Sequence, residues 1–280
     1  MEEKKQAGSS PLVWIVGVVA LVVVVAVAAV LIFRGPAEQT NDNADRPAPA
    51  APTTEKVESA HPDGGVTSDM WGRRVVVPAN DRGTPRTATV YAAENQCSPA
   101  EQIRTPEGLE IQRAYGMATV WSTSDGPTGF TGPLPDGYSR TPTGAALAAW
   151  NFYALMNAGS DAATAVLTER AGMSETQSTE FRRILEENGG SASMEAREDW
   201  ENVTVPDGFR VLSCADDLVN IELAKPLGAD VQGPSDKYWL VLRLPMLWKG
   251  DHWEINGADG NDVERETINE LGSEWSRWEF

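Results

Sequence analysis

An uncharged, strongly apolar run from Pro11 to Phe33 (PLVWIVGVVALVVVVAVAAVLIF) constrains this chain more than any other feature. A helix needs roughly 20 apolar residues to cross the hydrocarbon core of a bilayer, and this run supplies them. Buried core helices are shorter and seldom so uniformly Val, Ala and Leu. The apolar core of a cleaved signal peptide spans only about 7–15 residues and ends at a small-residue cleavage site, which does not follow Phe33. The expectation is a retained signal anchor: residues 1–10 form a tail and 11–33 a single transmembrane helix. Lys4 and Lys5 oppose Arg34 and the more distant Arg46, a slight bias that keeps the short tail cytoplasmic and sends everything after Arg34 outside.

The exported part is acidic. Asp and Glu number 41 against 23 Lys and Arg, giving a net charge of −18. Such a surface repels nucleic acid and anionic lipid, so no nucleic-acid partner is expected and the membrane is engaged only through Pro11 to Phe33. Cys97 and Cys214 are the only cysteines, and both fall on the exported side, where a disulfide persists. Paired, they would close a long loop worth roughly 4–5 kcal/mol in the chain-entropy model. The alternative, two unpaired small apolar residues, stays open, because Cys214 sits in a strand pattern and Cys97 in a polar loop.

Residues 34–69 are rich in Pro, Ala, Thr, Asp and Glu and nearly free of large apolar side chains. They cannot bury enough surface to offset ordering entropy, and read as a disordered stalk. Residues 70–140 carry short β-branched runs (Arg74–Val77, Thr87–Tyr91, Met117–Trp121) broken by Gly, Pro and Asp clusters, which read as an irregular region of short strands and long loops.

The clearest folded unit spans 141–280. Thr141 is a natural N-cap with Pro142 at the first helical position, and Gly159 a natural stop, so TPTGAALAAWNFYALMNAG predicts a helix apolar nearly all round, and hence central. Helices over Asp161–Arg170 and Ser174–Asn188 follow, the latter with an inward stripe of Phe181, Ile184 and Leu185. The period then changes to two over Phe209–Cys214, Leu218–Leu223, Tyr238–Trp248 and His252–Ile255. In the long strand Tyr238, Leu240, Leu242, Leu244, Met246 and Trp248 share one face. Pro245 marks an edge or a bulge. Lys249-Gly250-Asp251 closes a hairpin between Trp248 and Trp253. A last helix is expected over Asn261–Leu271, with Val263, Ile268 and Leu271 inward.

Helices followed by a strand meander predict an α+β fold, a cone-shaped domain of three helices packed on a curved antiparallel sheet. The helix start TPTGAALAAWNFY and the hairpin LWKGDHWEI resemble the nuclear-transport-factor-like (cystatin-like) fold. More narrowly, GYSRTPTGAALAA and the W-x-G-D-x-W hairpin resemble an uncharacterised actinobacterial family of single-pass exported proteins found with conjugation-type mobile elements. The resemblance covers Tyr138 to Ile255 and implies a role like that of the bitopic scaffold subunits of conjugation and type IV secretion machines. The fold hosts enzymes, binding modules and assembly parts alike.

Chemistry finds little to work with. The histidines are His61 in the stalk and His252 in the hairpin, so a Cys97 or Cys214 pair with His252 would be the one nucleophile arrangement, and it reads as a surface residue beside two small ones. No Gly-x-Ser-x-Gly, phosphate loop, dinucleotide fingerprint or His-Glu-x-x-His occurs, and no metal or cofactor is implied. Asp216-Asp217 read as a solvated turn. Asp259 to Glu264, with Glu270 beyond, imitates a calcium loop but puts Val263 at a ligand position and Glu264 where the sharp-turn glycine belongs. Asn202-Val203-Thr204 matches a glycosylation acceptor. Trp150, Trp239 and Trp248 fit the core, whereas Trp275, Trp278 and Phe280, in a terminal segment, are the candidate interface. The leading expectation is a non-enzymatic interaction or scaffold protein of an envelope assembly with protein partners. Alternatives are a module binding a small apolar or cell-wall ligand in the concave pocket, and an acid-base enzyme using a pocket carboxylate.

Overall fold

One helix is sandwiched between two β-sheets, and its composition explains why. The computed structural model describes residues 64–86, 90, 103–158, 161–187, 204–227, 238–256 and 265–280. In helix α1 (Pro142–Met156) every residue from Pro142 to Phe152, with Ala154 and Leu155, is buried. The alanines keep the helix thin enough for sheets to approach from both sides, while Leu147, Trp150, Phe152 and Leu155 supply the apolar contact. Thr141 caps it as expected, its Oγ1 accepting from the Gly144 N–H at 3.0 Å.

The first sheet has the order β1 (Gly65–Ser68), β2 (Arg74–Val77), β3 (Glu110–Ala114), β4 (Met117–Trp121), antiparallel except for a parallel β2–β3 pairing. A small hairpin, β5 (Gly129–Thr131) with β6 (Leu134–Asp136), leads to α1. Next come α2 (Asp161–Ala165), running into a π-helical turn over Val166–Arg170, and α3 (Glu175–Glu187). The second sheet is an antiparallel meander of β7 (Gly208–Cys214), β8 (Leu218–Pro226), β9 (Trp239–Lys249) and β10 (His252–Ile255). It is completed by β11 (Arg265–Ile268) on β9 and β12 (Ser276–Arg277) on β7. The architecture is α+β with three helices, and among the described residues no helix is long and apolar enough to cross a membrane. The run Pro11–Phe33 lies outside them.

Several expectations are corrected. The stretch 34–69 is not all stalk, because Gly65–Ser68 pairs with Arg74–Val77 residue for residue. Residue 140 is no domain boundary: Val75, Ile111 and Val120 share one core with Leu147, Phe152, Ile221 and Leu244. The physical reason is α1 itself, which is apolar on all sides and needs a second sheet to cover the face the meander leaves open. Where a helix was expected over Asn261–Leu271, Arg265–Ile268 is strand β11, since Trp239–Leu242 of β9 offers an unpaired edge and Ile268 meets Trp239 there. Residues 269–271 are not helical either, and 261–264 lie outside the described residues, as do Gly159 and Thr87–Thr89 with Tyr91. Pro245 falls between the stretches of β9 paired with β10 and with β11, where a missing ladder donor costs nothing.

Helix propensity favours alanine over glycine by about 1 kcal/mol, which would make Gly144→Ala look stabilising. A methyl there would overlap the backbone carbonyl oxygen and hydroxyl of Ser139, so the substitution is expected instead to cost about 1–3 kcal/mol and to lower the melting temperature. An unchanged or higher melting temperature would show that the segment carrying Ser139 gives way.

Candidate functional site

The residues singled out for chemistry converge at one end of the second sheet. The β7–β8 turn presents Asp216 and Asp217, both exposed, and is closed by the Ala215 N–H donating to the Leu218 carbonyl at 2.7 Å. The neighbouring β9–β10 hairpin docks on it through the Trp248 N–H, which donates to the Asp217 carbonyl at 2.6 Å. Arg140, just before α1, donates to the Asp216 carbonyl at 3.0 Å and lies over the Trp248 ring at 5.7 Å. Trp248 in turn meets Trp253 edge to face at 5.1 Å.

At the same end His252 stands between two carboxylates, its Nδ1 3.0 Å from Asp251 and its Nε2 3.1 Å from Glu254. The hydrogen bond from His252 holds the exposed Asp251 carboxyl below the ordinary aspartate range. Cys214 lies here too, but it is disulfide-bonded and offers no thiolate to His252. Cys97 and His61 lie outside the described residues, as do Asp259 to Glu264 and Asn202-Val203. Thr204, the last residue of the acceptor triplet, is buried and accepts from Arg73. Among the described residues no group of three or more His, Cys, Asp and Glu is placed to hold a metal ion.

The buried carboxylates lie elsewhere, each surrounded by donors. Asp125 accepts from Arg104 through both oxygens at 2.7 and 2.8 Å, from Ser124 at 2.5 Å and from Ser139 at 2.9 Å. Glu222 sits mid-sheet in one cross-strand row with Arg210 and Arg243, accepting at 2.5 Å from the first and at 2.6 and 3.0 Å from the second. Asp69 takes the Trp71 and Arg73 N–H groups at 2.9 Å and the Arg73 Nε at 2.7 Å. Arg73 then reaches Asp207 at 3.1 Å, tying the first hairpin to the second sheet. A carboxylate accepting from several donors, charged ones among them, has few lone pairs left for a substrate. The arrangement joins segments and leaves little room for proton transfer.

None of the three ion-pair centres was singled out from sequence. Arg243 in an otherwise apolar strand was the available signal for the Glu222 row, while Asp125 fell within the irregular region of residues 70–140. The candidate interface also needs correction. Trp275 is 1% exposed and Trp278 6% exposed, packed respectively on Trp239 with Val241 and on Phe209, while Phe280 alone remains 40% exposed. The outer face of β8 and β9 is apolar around Ala224, Trp239 and Val241, and the terminal segment folds back because that face needs a cover.

The profile of a domain of unknown function, DUF8175, matches residues 76–276. Comparison with curated proteins and with solved structures finds no match.

Proposed function

The chain belongs to the DUF8175 family, and we propose that it is a single-pass membrane protein whose exported domain is a non-enzymatic interaction or scaffold component of an envelope assembly of the conjugation or secretion type. The observation that carries the non-enzymatic reading is that Asp69, Asp125 and Glu222, the buried carboxylates among the described residues, are each committed to arginine and further internal donors. The anchored reading rests on the run Pro11–Phe33 and on the slight Lys/Arg bias around it. The order α1 to α3 followed by the β7–β10 meander supports a nuclear-transport-factor-like half, to which the first sheet is added. Phe152 and Trp253 are buried in the core that α1 shares with the meander, which favours an interaction surface over a ligand held in the concave face. Cys97, the chain's one other cysteine, is the proposed partner of Cys214, in keeping with an oxidising compartment.

Protease added to intact spheroplasts is expected to remove a C-terminal tag while an N-terminal tag survives, and survival of the C-terminal tag would sink the exported topology. Cross-linked full-length protein purified from solubilised envelopes is expected to bring the same envelope proteins in fixed ratio. Recovery of the chain without any of them would overturn the scaffold reading.

A further inference from the structure

The two large sheets protect their edges unequally. On β4 the side-chain amide of Asn151 closes the outer edge, accepting from the Val120 N–H at 2.8 Å and donating to the Val120 carbonyl at 2.9 Å. The outlying strands of the second sheet all carry charge: β10 has His252 and Glu254, β11 has Arg265 and Glu266, and β12 is two residues long with Arg277. Charges and brevity of this kind are how proteins keep edges from pairing. β1 is the exception. Its sequence GVTS has no charge and no proline, it ends its sheet among the described residues, and Val66 on it is 59% exposed with Met70 close by also exposed.

Charge distribution indicates what can approach this edge. Between Gly64 and Trp121 the sequence has six arginines and six acidic residues, so this stretch, which supplies the sheet, is neutral along the sequence in a chain of net charge −18. Two copies of so acidic a molecule repel each other over most of their surface and least where these neutral sheets face. A basic partner would be drawn to the acidic remainder and an acidic one turned away from it. We propose that β1 pairs with β1 of a second copy in antiparallel fashion across a two-fold axis, joining the two four-stranded sheets into one.

The test uses the full-length chain in detergent and follows its association by sedimentation equilibrium. The wild type is expected to dimerise. Val66→Asp and Val66→Lys each put like charges close to the axis, and each is expected to weaken the dimer at least tenfold with an unchanged melting temperature, since Val66 makes little buried contact. A one-to-one mixture of the two variants places opposite charges there and is expected to restore association, as only self-pairing through this edge would. A wild type that stays monomeric, variants that dimerise like it, or a mixture no tighter than its components would each overturn the proposal. The outcome does not depend on topology or on envelope partners, so it stands apart from the anchored reading.

Discussion

Asn151→Leu is expected to destabilise the protein by about 3–5 kcal/mol although it preserves the shape of the side chain. The Asn151 amide is fully buried, accepts from the Val120 N–H, and donates to both the Val120 carbonyl and the Tyr138 hydroxyl, the last two at 2.9 Å. Leucine leaves all three groups without partners, at about 1–3 kcal/mol for each unsatisfied buried group, partly relieved by relaxation. Burial already pushes the Tyr138 hydroxyl far above the ordinary tyrosine range, so it cannot compensate by ionising. Urea denaturation checks this: the midpoint should fall with the slope unchanged, and Tyr138→Phe should cost only about 1 kcal/mol. A loss below 1 kcal/mol for the leucine variant would mean that the contact between α1 and β4 is held by packing alone.

Trp275→Ala is expected to cost about 3–5 kcal/mol, the range for deleting a large ring from a core. The ring lies against the cluster of Ala224, Trp239, Val241 and Leu271, with the Arg210 guanidinium over it at 4.7 Å. Its loss therefore also loosens the arginine that holds Glu222. Phe280→Ala, by contrast, removes a partly exposed ring and is expected to cost no more than about 1 kcal/mol. Thermal melts of the two variants decide the matter. Equal melting temperatures would put Trp275 back among residues free to dock a partner.

Local signals were legible where one residue type has one physical use. Thr141 and Pro142 began α1 as capping chemistry requires, and the Ser174 hydroxyl and Gln177 side chain bond each other's backbone N–H groups to start α3. The strict alternation from Tyr238 to Trp248 gave β9 and its inward face, with Leu242, Leu244 and Met246 in the core. The hairpin pairing Trp248 with Trp253 followed from the short Lys-Gly-Asp link. Short patterns failed: Val263, Ile268 and Leu271 suit a helix or a strand with a turn, and only the unpaired edge of β9 chose between them.

The candidate site was harder to read for the same reason. Asp216, Asp217, His252 and Cys214 could be named individually, but their meeting at one end of a sheet depends on the register of β7, β8 and β9. Asp125 finds Arg104, and Arg73 finds Asp207, across sequence separations that no local pattern records. Exposure of an aromatic is likewise a tertiary property, which is why a terminal Trp275 could pass for an anchor until β8 and β9 were seen to need a cover.

By itself the sequence determined the uncharged apolar run Pro11–Phe33, the acidic composition, the helices that precede the meander and the alternation that builds it, because each depends on residues within a turn or a strand of one another. Only the tertiary structure decided that β2, β3 and β4 share one core with α1, that the buried carboxylates are held by arginines, that the terminal tryptophans lie inside, and that β1 ends its sheet among the described residues. Those outcomes depend on which surfaces are brought together, and α1, apolar on every side, could be covered only by two sheets drawn from distant parts of the chain.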